Sequence, residues 1–415
     1  MLVPGPLVWL SGSSAKAGKH QTSATSFASK RPVPQSAAPL KAAPAEGTGT
    51  GRGYMQGVKI LDLSNVIACP MAGVLCARFG AEVIKIDLPH PSYGPVIMVG
   101  FGVLAMRGKK STLLDLSTPD GFHAFARLVR RSDIVTFNGV DPQLEALGIT
   151  LEALQKINPS IILFHLNSFG GPNIGPRTNY IGYDDLTQST TGIMARFGGS
   201  LETAEEHAHI GTVDVVTGFA GAFAIFLALF QRKRTGSAEK AQTSLASVGQ
   251  MVQVPYCFDG ALRGEWNEPK GVCVGEHFLY HSYKCRDDVW GFLAATGQHP
   301  WPEQLAEGKD AMVSLGIPCE DVSSLTQYFA TLSFEEHQAV FRNKGITFVR
   351  IGSFSDLDRK PQPKHKTFHF VKTLADHNPS GRDVTYFGNS VRSRNWEVCE
   401  LPELPKYGKD TRAVL

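Results

Sequence analysis

Asp214 is the residue best placed to do chemistry. It stands immediately before an apolar run, Val215 to Phe230, that closes on a basic Gln-Arg-Lys-Arg-Thr-Gly segment as a helix C-terminus would. A carboxylate there can cap free N–H groups and feel the positive end of the helix dipole, which favours its ionised form. An ionised carboxylate can attack an acyl carbon, whereas a carboxylate that only caps is structural. A second cluster, Arg107, Lys109 and Lys110, could hold phosphate, or be a solvated turn. His277 and His281 are four apart, but the aromatic and apolar residues between them read as strand, which separates the rings, and no third ligand accompanies them. His207 and His209 fall in an acidic loop. The seven cysteines are scattered and form no C-x-x-C pair, so they read as reduced thiols, with no zinc site or disulfide framework.

The elements that position these groups have a clear period. Gly57 to Asp87 gives an apolar strand (Val58 to Leu63), a loop with Pro70, a helix of small apolar residues, a Gly-Ala turn and a second apolar strand (Val83 to Ile86). Near-continuous apolar strands joined through a helix specify a βαβ unit in a parallel sheet covered on both faces. No G-x-G-x-x-G opens the helix, so a dinucleotide pyrophosphate is not the expected ligand. Further strands are expected at Thr112 to Leu116, Ile134 to Phe137 and Ile161 to Leu166, and helices at Gly121 to Arg131 and Leu144 to Ile157. A hairpin is expected over Phe278 to Thr296, turning at Arg286-Asp287-Asp288.

Length and charge set further bounds. A chain of 415 residues can bury two cores, and a net charge of +3 excludes a bulk bias toward nucleic acid. Residues 1–53 carry six basic residues against one acid and are rich in Ser, Ala, Gly and Pro. Such a segment buries too little apolar surface to fold alone and reads as an organelle transit peptide, mitochondrial before plastid, with a cytoplasmic protein as the alternative. The apolar run Val215 to Phe230 is shorter than the roughly 20 residues that span a bilayer, so a buried helix is expected and no membrane.

Gly57 to Asp87 resembles the opening of the class III CoA-transferases (CaiB/BaiF), whose usual form is "GvrVLDlt.v.AGP.a...LadlGAeVIKvE". The likeness continues in order through Arg107 to Asn138, the turn at Ser168 to Pro172, Ile181-Gly182-Tyr183-Asp184, Asp214 with its helix, and the closing Gly408 to Leu415. It implies an α/β fold with a Rossmann-like large domain, a smaller inserted α+β domain and an interlocked homodimer. The implied domains are an extension over 1–55, the large domain over 56–266, the small domain over 267–356, and a returning segment over 357–415. It also implies an enzyme that moves CoA between an acyl-CoA thioester and a free carboxylic acid, with the thioester as substrate and no resident cofactor.

The resemblance makes Asp214 the catalytic carboxylate. Tyr183 falls where the racemase branch of the family keeps a His as its second acid/base group. A tyrosine phenol is a weak base at neutral pH, so Tyr183 points to acyl transfer, with α-methylacyl-CoA racemase or a related isomerase as the alternative. Asp184 is implied as a substrate or supporting group, or as a helix cap. The CoA site is implied at Asn65, Val66, Ile67 and Ala68, at Arg107, Lys109 and Lys110, at Leu114 and at Asn138. Backbone donors for an oxyanion are expected from the turn Ser168 to Gly171. The chain departs from the family at Leu88, Ala146 and Asn167, where cations are usual.

Overall fold

The computed structural model describes residues 9–11, 53–90, 105–171, 175–194, 211–253, 275–295, 302–352, 370–373, 381–387, 391 and 404–415. The chain divides into two compact units. The larger comprises Met1–Thr191, His209–Arg263 and Thr367–Leu415; the smaller comprises Gly192–Ala208 and Gly264–Lys366.

The larger unit is built on a seven-stranded sheet of β1 (Trp9–Ser11), β2 (Lys59–Asp62), β3 (Glu82–Asp87), β4 (Lys110–Leu113), β5 (Ile134–Asn138), β6 (Ile162–Asn167) and β7 (Lys240–Ser244). The strand order is β1-β7-β6-β5-β2-β3-β4. Six strands are parallel, with Leu61 beside Val135 and Val135 beside Leu163. The sequence grows outward from β2 in both directions, so the order reverses between β2 and β5.

Helices cover both faces. On one lie α1 (Ala68–Arg78) and, further along the chain, a long helix over Thr212–Thr235. On the other are α2 (Pro119–Val129) and, after the short α3 (Asp141–Ala146), α4 (Leu151–Ile157). Phe125, Leu128 and Leu154 from α2 and α4 pack there with Leu61, Val135 and Leu163 of the sheet. Thr118 caps α2 through Gly121 N–H at 3.1 Å, with Pro119 in the first turn, as a Ser-Thr-Pro-Asp start dictates. The helix expected over Leu144 to Ile157 is two helices. Gly148 at φ 65° stops α3, and Thr150 starts α4 by capping Ala153 N–H.

After α4 come α5 (Asp184–Thr191), α6 (Thr212–Thr235) and α7 (Leu245–Val252). Helix α6 has left-handed glycines at both ends, Gly211 and Gly236. A Cβ on Gly218 would stand 2.7 Å from Met71 Cβ, and one on Gly221 2.8 Å from Phe164 Cζ. These glycines let α6 lie against α1 and the sheet at backbone distance. Helix α6 is long and apolar enough to cross a membrane by length and composition, but more than half of that stretch is buried inside the protein.

The amino-terminal segment was expected to take no part in the fold. Instead β1 pairs antiparallel with β7, Leu10 opposite Ala241, and Met55 is fully buried with its N–H on Phe79 O at 2.8 Å. The sheet's free edge offers hydrogen-bonding groups that even a three-residue strand can satisfy.

The smaller unit has an antiparallel sheet of β8 (Gly275–His277), β9 (Tyr280–Lys284), β10 (Trp290–Ala294) and β11 (Thr347–Arg350), in the order β11-β10-β9-β8. With α8 (Pro302–Ser314), α9 (Val322–Phe329) and α10 (Phe334–Phe341), it encloses a core of Tyr283, Leu293, Met312, Phe329 and Phe348. The β9–β10 hairpin turns at Arg286 to Asp288, with Asp288 at φ 62°. His277 and His281 lie on successive strands, β8 and β9, and not on one strand as expected. In the larger unit β12 (Phe370–Thr373) pairs with β13 (Val384–Phe387). The last helix, α11 (Thr411–Val414), sits at the outer edge of β4, where Asp410 and Thr411 accept the N–H groups of Ser111 and Leu113 at 2.8 and 3.0 Å.

Candidate active site

A cavity of about 500 Å³ opens in the larger unit at the carboxyl ends of β2, β5 and β6. It therefore lies where the strand order reverses, the usual ligand position in an open α/β sheet. Its size suits a small-molecule site.

Asp214 is on its wall and is 5% exposed. It is not the N-cap of its helix, as its position before the apolar run suggested. Helix α6 begins at Thr212, so Asp214 is the third residue of its first turn, and the cap position belongs to Gly211, which has no side chain. The missing cap comes from another helix. Asp184, at the start of α5 and 3% exposed, accepts Asp214 N–H on Oδ2 at 2.8 Å and Gln188 Nε2 on Oδ1. Asp184 thus ties the first turn of α6 to α5 without lining the cavity itself. Asp185, beside it, is exposed.

This arrangement reverses the expected electrostatics. Burial first, then the charges of Asp184 and Asp185, push the Asp214 carboxyl up from 3.8 to about 7. The helix end lowers the energy of a negative charge, but removal from water and two neighbouring carboxylates outweigh it. The group therefore stands near the middle of its titration at neutral pH. Tyr183, half exposed, faces the same cavity, as do Tyr180 and Ile181.

The opposite wall is the loop after β2. Val66 adopts φ 68°, a strained conformation for a β-branched residue. Asn138, at the end of β5, clamps the turn by accepting Asn65 N–H on Oδ1 at 2.7 Å and donating Nδ2 to Asn65 O at 3.0 Å. Asn65, Val66, Ala68 and Asn138 therefore line the cavity as a connected group.

Other expected residues stand elsewhere. Ile67 is buried in the core and does not line the cavity. Leu114 is likewise packed in the core, with Leu116 and Ile86. Arg107 is 1% exposed, too deep for a phosphate in solution to reach. Lys109 is fully buried, with Nζ 2.5 Å from Asp62 Oδ2 and 2.7 Å from Pro70 O. Lys110 is on the surface and pairs with Glu82. The run read as one basic turn is divided: Arg107 and Lys109, ahead of β4, are buried, and Lys110, its first residue, is exposed. Among the described residues lining the cavity there is no Lys, Arg or His, and Ala146 and Asn167 both lie there. Within the turn after β6, Ser168 lines the cavity, but Gly170 N–H is already given to Asn167 Oδ1 at 2.7 Å. The described residues hold no group of three or more metal-ligating side chains. The apolar lining of Phe137, Val140, Leu166 and Leu245 was not singled out in the sequence; its signal was the position of each residue at or just beyond a strand's carboxyl end.

The profile of CoA-transferase family III matches residues 55–411, and the chain belongs to that family. It is 42% identical, over its whole length, to the CoA-transferase/lyase DddD of Marinomonas sp., of which it spans 51%. It is 26% identical to the succinyl-CoA:glutarate CoA-transferase of Mus musculus, covering 87% of this chain and 85% of that one. It is also 28% identical to the human alpha-methylacyl-CoA racemase, over 69% of this chain and 73% of that one. The fold matches a hypothetical protein of Mycobacterium tuberculosis with TM-score 0.72 at 19% identity, over 88% of this chain and all of the other. A CAIB/BAIF family protein of Brucella suis matches with TM-score 0.70 at 22% identity, over 88% of this chain and 98% of that one.

Proposed function

We propose that the protein transfers CoA from an acyl-CoA thioester to a free carboxylic acid, with Asp214 as the covalent relay. The observation that carries this reading is a buried carboxylate on the wall of a cavity of about 500 Å³, in a chain of family III.

The Asp214 carboxylate attacks the thioester carbonyl, the C–S bond breaks, and an acyl-aspartyl anhydride and CoA thiolate result. The thiolate attacks the aspartyl carbonyl, releasing the first acid as its carboxylate and leaving an aspartyl-CoA thioester. The acceptor carboxylate attacks that thioester and expels the thiolate, which then takes the new acyl group and frees Asp214. Each exchange conserves an activated acyl bond, and no net proton moves. Asp184 and Gln188 hold the turn that presents Asp214. The loop Asn65 to Ala68, clamped by Asn138, forms the opposite wall.

Hydroxylamine or borohydride should trap Asp214 only when acyl-CoA is present, with the modified residue read by peptide mass spectrometry. Asp214→Asn should abolish both trapping and transfer. Transfer at the wild-type rate by Asp214→Asn would refute the relay.

A second reading, proton exchange at Cα by an isomerase, draws support from the carboxyl titrating near 7, which suits a general base. Solvent deuterium entering Cα without acyl exchange would select it. The proposal extends to assembly and location. Val216, Phe219, Phe223 and Phe230 leave an apolar stripe exposed on α6, which a second copy of the chain would cover, and the basic amino-terminal segment would direct the protein to an organelle.

A further inference from the structure

Lys109 lies beneath the cavity-lining loop, and its side chain has no exposed surface with which to meet a ligand. Its ammonium touches Asp62, the last residue of β2, and the carbonyl of Pro70, in the first turn of α1. These two contacts flank the loop from Leu63 to Ile67. Asp62 Oδ2 takes the ammonium, while Oδ1 accepts Ser64 N–H at 2.9 Å, the Ser64 hydroxyl, and the Thr136 hydroxyl of β5 at 3.0 Å. Gly73 leaves room for the pair: a Cβ there would stand 3.0 Å from Lys109 Nζ and 3.2 Å from Asp62 Oδ2. Asn65 and Val66, the strained part of the loop, lie directly beyond Ser64 and face the cavity.

We infer that Lys109 and Asp62 are positioning residues that brace both ends of this loop and hold Val66 in the conformation that shapes the cavity wall. A buried ion pair gives little net stability against an apolar replacement, so its use is better sought in the geometry it fixes. Here the hydrogen-bond partners of the pair belong to the loop, to its helical flank or to the neighbouring strand. The brace acts from below, through Asp62 and Ser64, and Asn138 acts from the side, through Asn65.

The CoA arm of the test rests on the proposed function; the thiol arm does not. Cys69 is buried in the first turn of α1, just beyond the loop, and Cys285 and Cys319 are buried in the smaller unit. Single replacement of Lys109 strands a buried carboxylate and can prevent folding. The informative protein is therefore the neutral pair Asp62→Asn/Lys109→Met, compared with the wild type. Alkylation by iodoacetamide, mapped by mass spectrometry, should be at least tenfold faster at Cys69 in the variant, with Cys285 and Cys319 unchanged. Dissociation constants for CoA and for 3′-dephospho-CoA should weaken together, by about tenfold. If the variant does not fold, if the three thiols speed up alike, or if Cys69 does not change, the inference is overturned. It is also overturned if only CoA, and not its dephosphorylated form, binds more weakly, because Lys109 would then be reading the phosphate. A wild type that fails to bind CoA would sink the proposed function and leave the thiol result to decide the brace.

Discussion

Replacing Asp214 by Asn should stabilise the protein, and the gain should grow with pH. The native carboxyl titrates at about 7 against 3.8 for the free group. A raised folded pKa means that the native state holds its proton where the unfolded state has released it. Stability from this group is thus complete below 3.8 and is lost as pH rises to 7, at about 1.4 kcal/mol per pH unit. The full loss is roughly 4 kcal/mol above pH 7 and roughly 1.5 kcal/mol at pH 5. Asn keeps the shape and carries no charge, so it escapes the loss. Thermal melts of the two proteins from pH 5 to pH 8.5 would measure it, at about 1–2 °C per kcal/mol for a chain of 415 residues. The variant should melt a few degrees higher at pH 5 and more than twice that margin higher at pH 8.5. A margin that does not change with pH, or a wild type that is the more stable at pH 8.5, would refute the assignment of a buried, charge-crowded carboxyl.

Three further outcomes follow from the packing. Asn138→Ala removes both bonds to Asn65, so it should lower stability by about 1–3 kcal/mol in urea melts and raise the Michaelis constant for acyl-CoA at least severalfold. Gly218→Ala should destabilise by about 1–3 kcal/mol although alanine is the better helix former, because its methyl meets Met71; a stabilised variant in urea would show that α1 yields freely. Removing residues 1–52 should leave a folded protein by circular dichroism that self-associates more in light scattering, because the edge of β7 loses its partner.

Much of the larger unit could be read from the sequence because its strands are buried on both faces. Ile60 to Leu63 and Ile161 to Leu166 are apolar but for Asp62 and His165, and each falls on a parallel strand within a residue or two. Local signals also placed the Thr118 cap and the Arg286 to Asp288 turn. The site was less legible, because it depends on partners distant in the chain. Asp214 takes its environment from Asp184, thirty residues earlier, and its sense of charge from burial, neither of which a helix period reveals. Lys109 and Lys110 are adjacent in sequence, yet one is buried against Asp62, forty-seven residues earlier, and the other is half exposed, a difference that residue type does not reveal. The strain at Val66 has no signature in residue type, since valine is disfavoured at that φ.

The glycines of α6 have a geometric consequence for evolution and for engineering. Gly218 stands one helical turn beyond Asp214 and rests on Met71 and the carbonyl of Ala68, while Ala68 itself borders the cavity. Helix α6, which carries Asp214, and the first turn of α1 are therefore registered to each other through a contact to which α6 contributes no side chain. A single added methyl in that seam would wedge the two apart and change the width of the cavity that, in the proposed mechanism, receives the thioester. The width of the cavity thus depends on Gly218 and Met71, which lie outside its lining, so its shape can drift through positions that a survey of the lining alone would pass over.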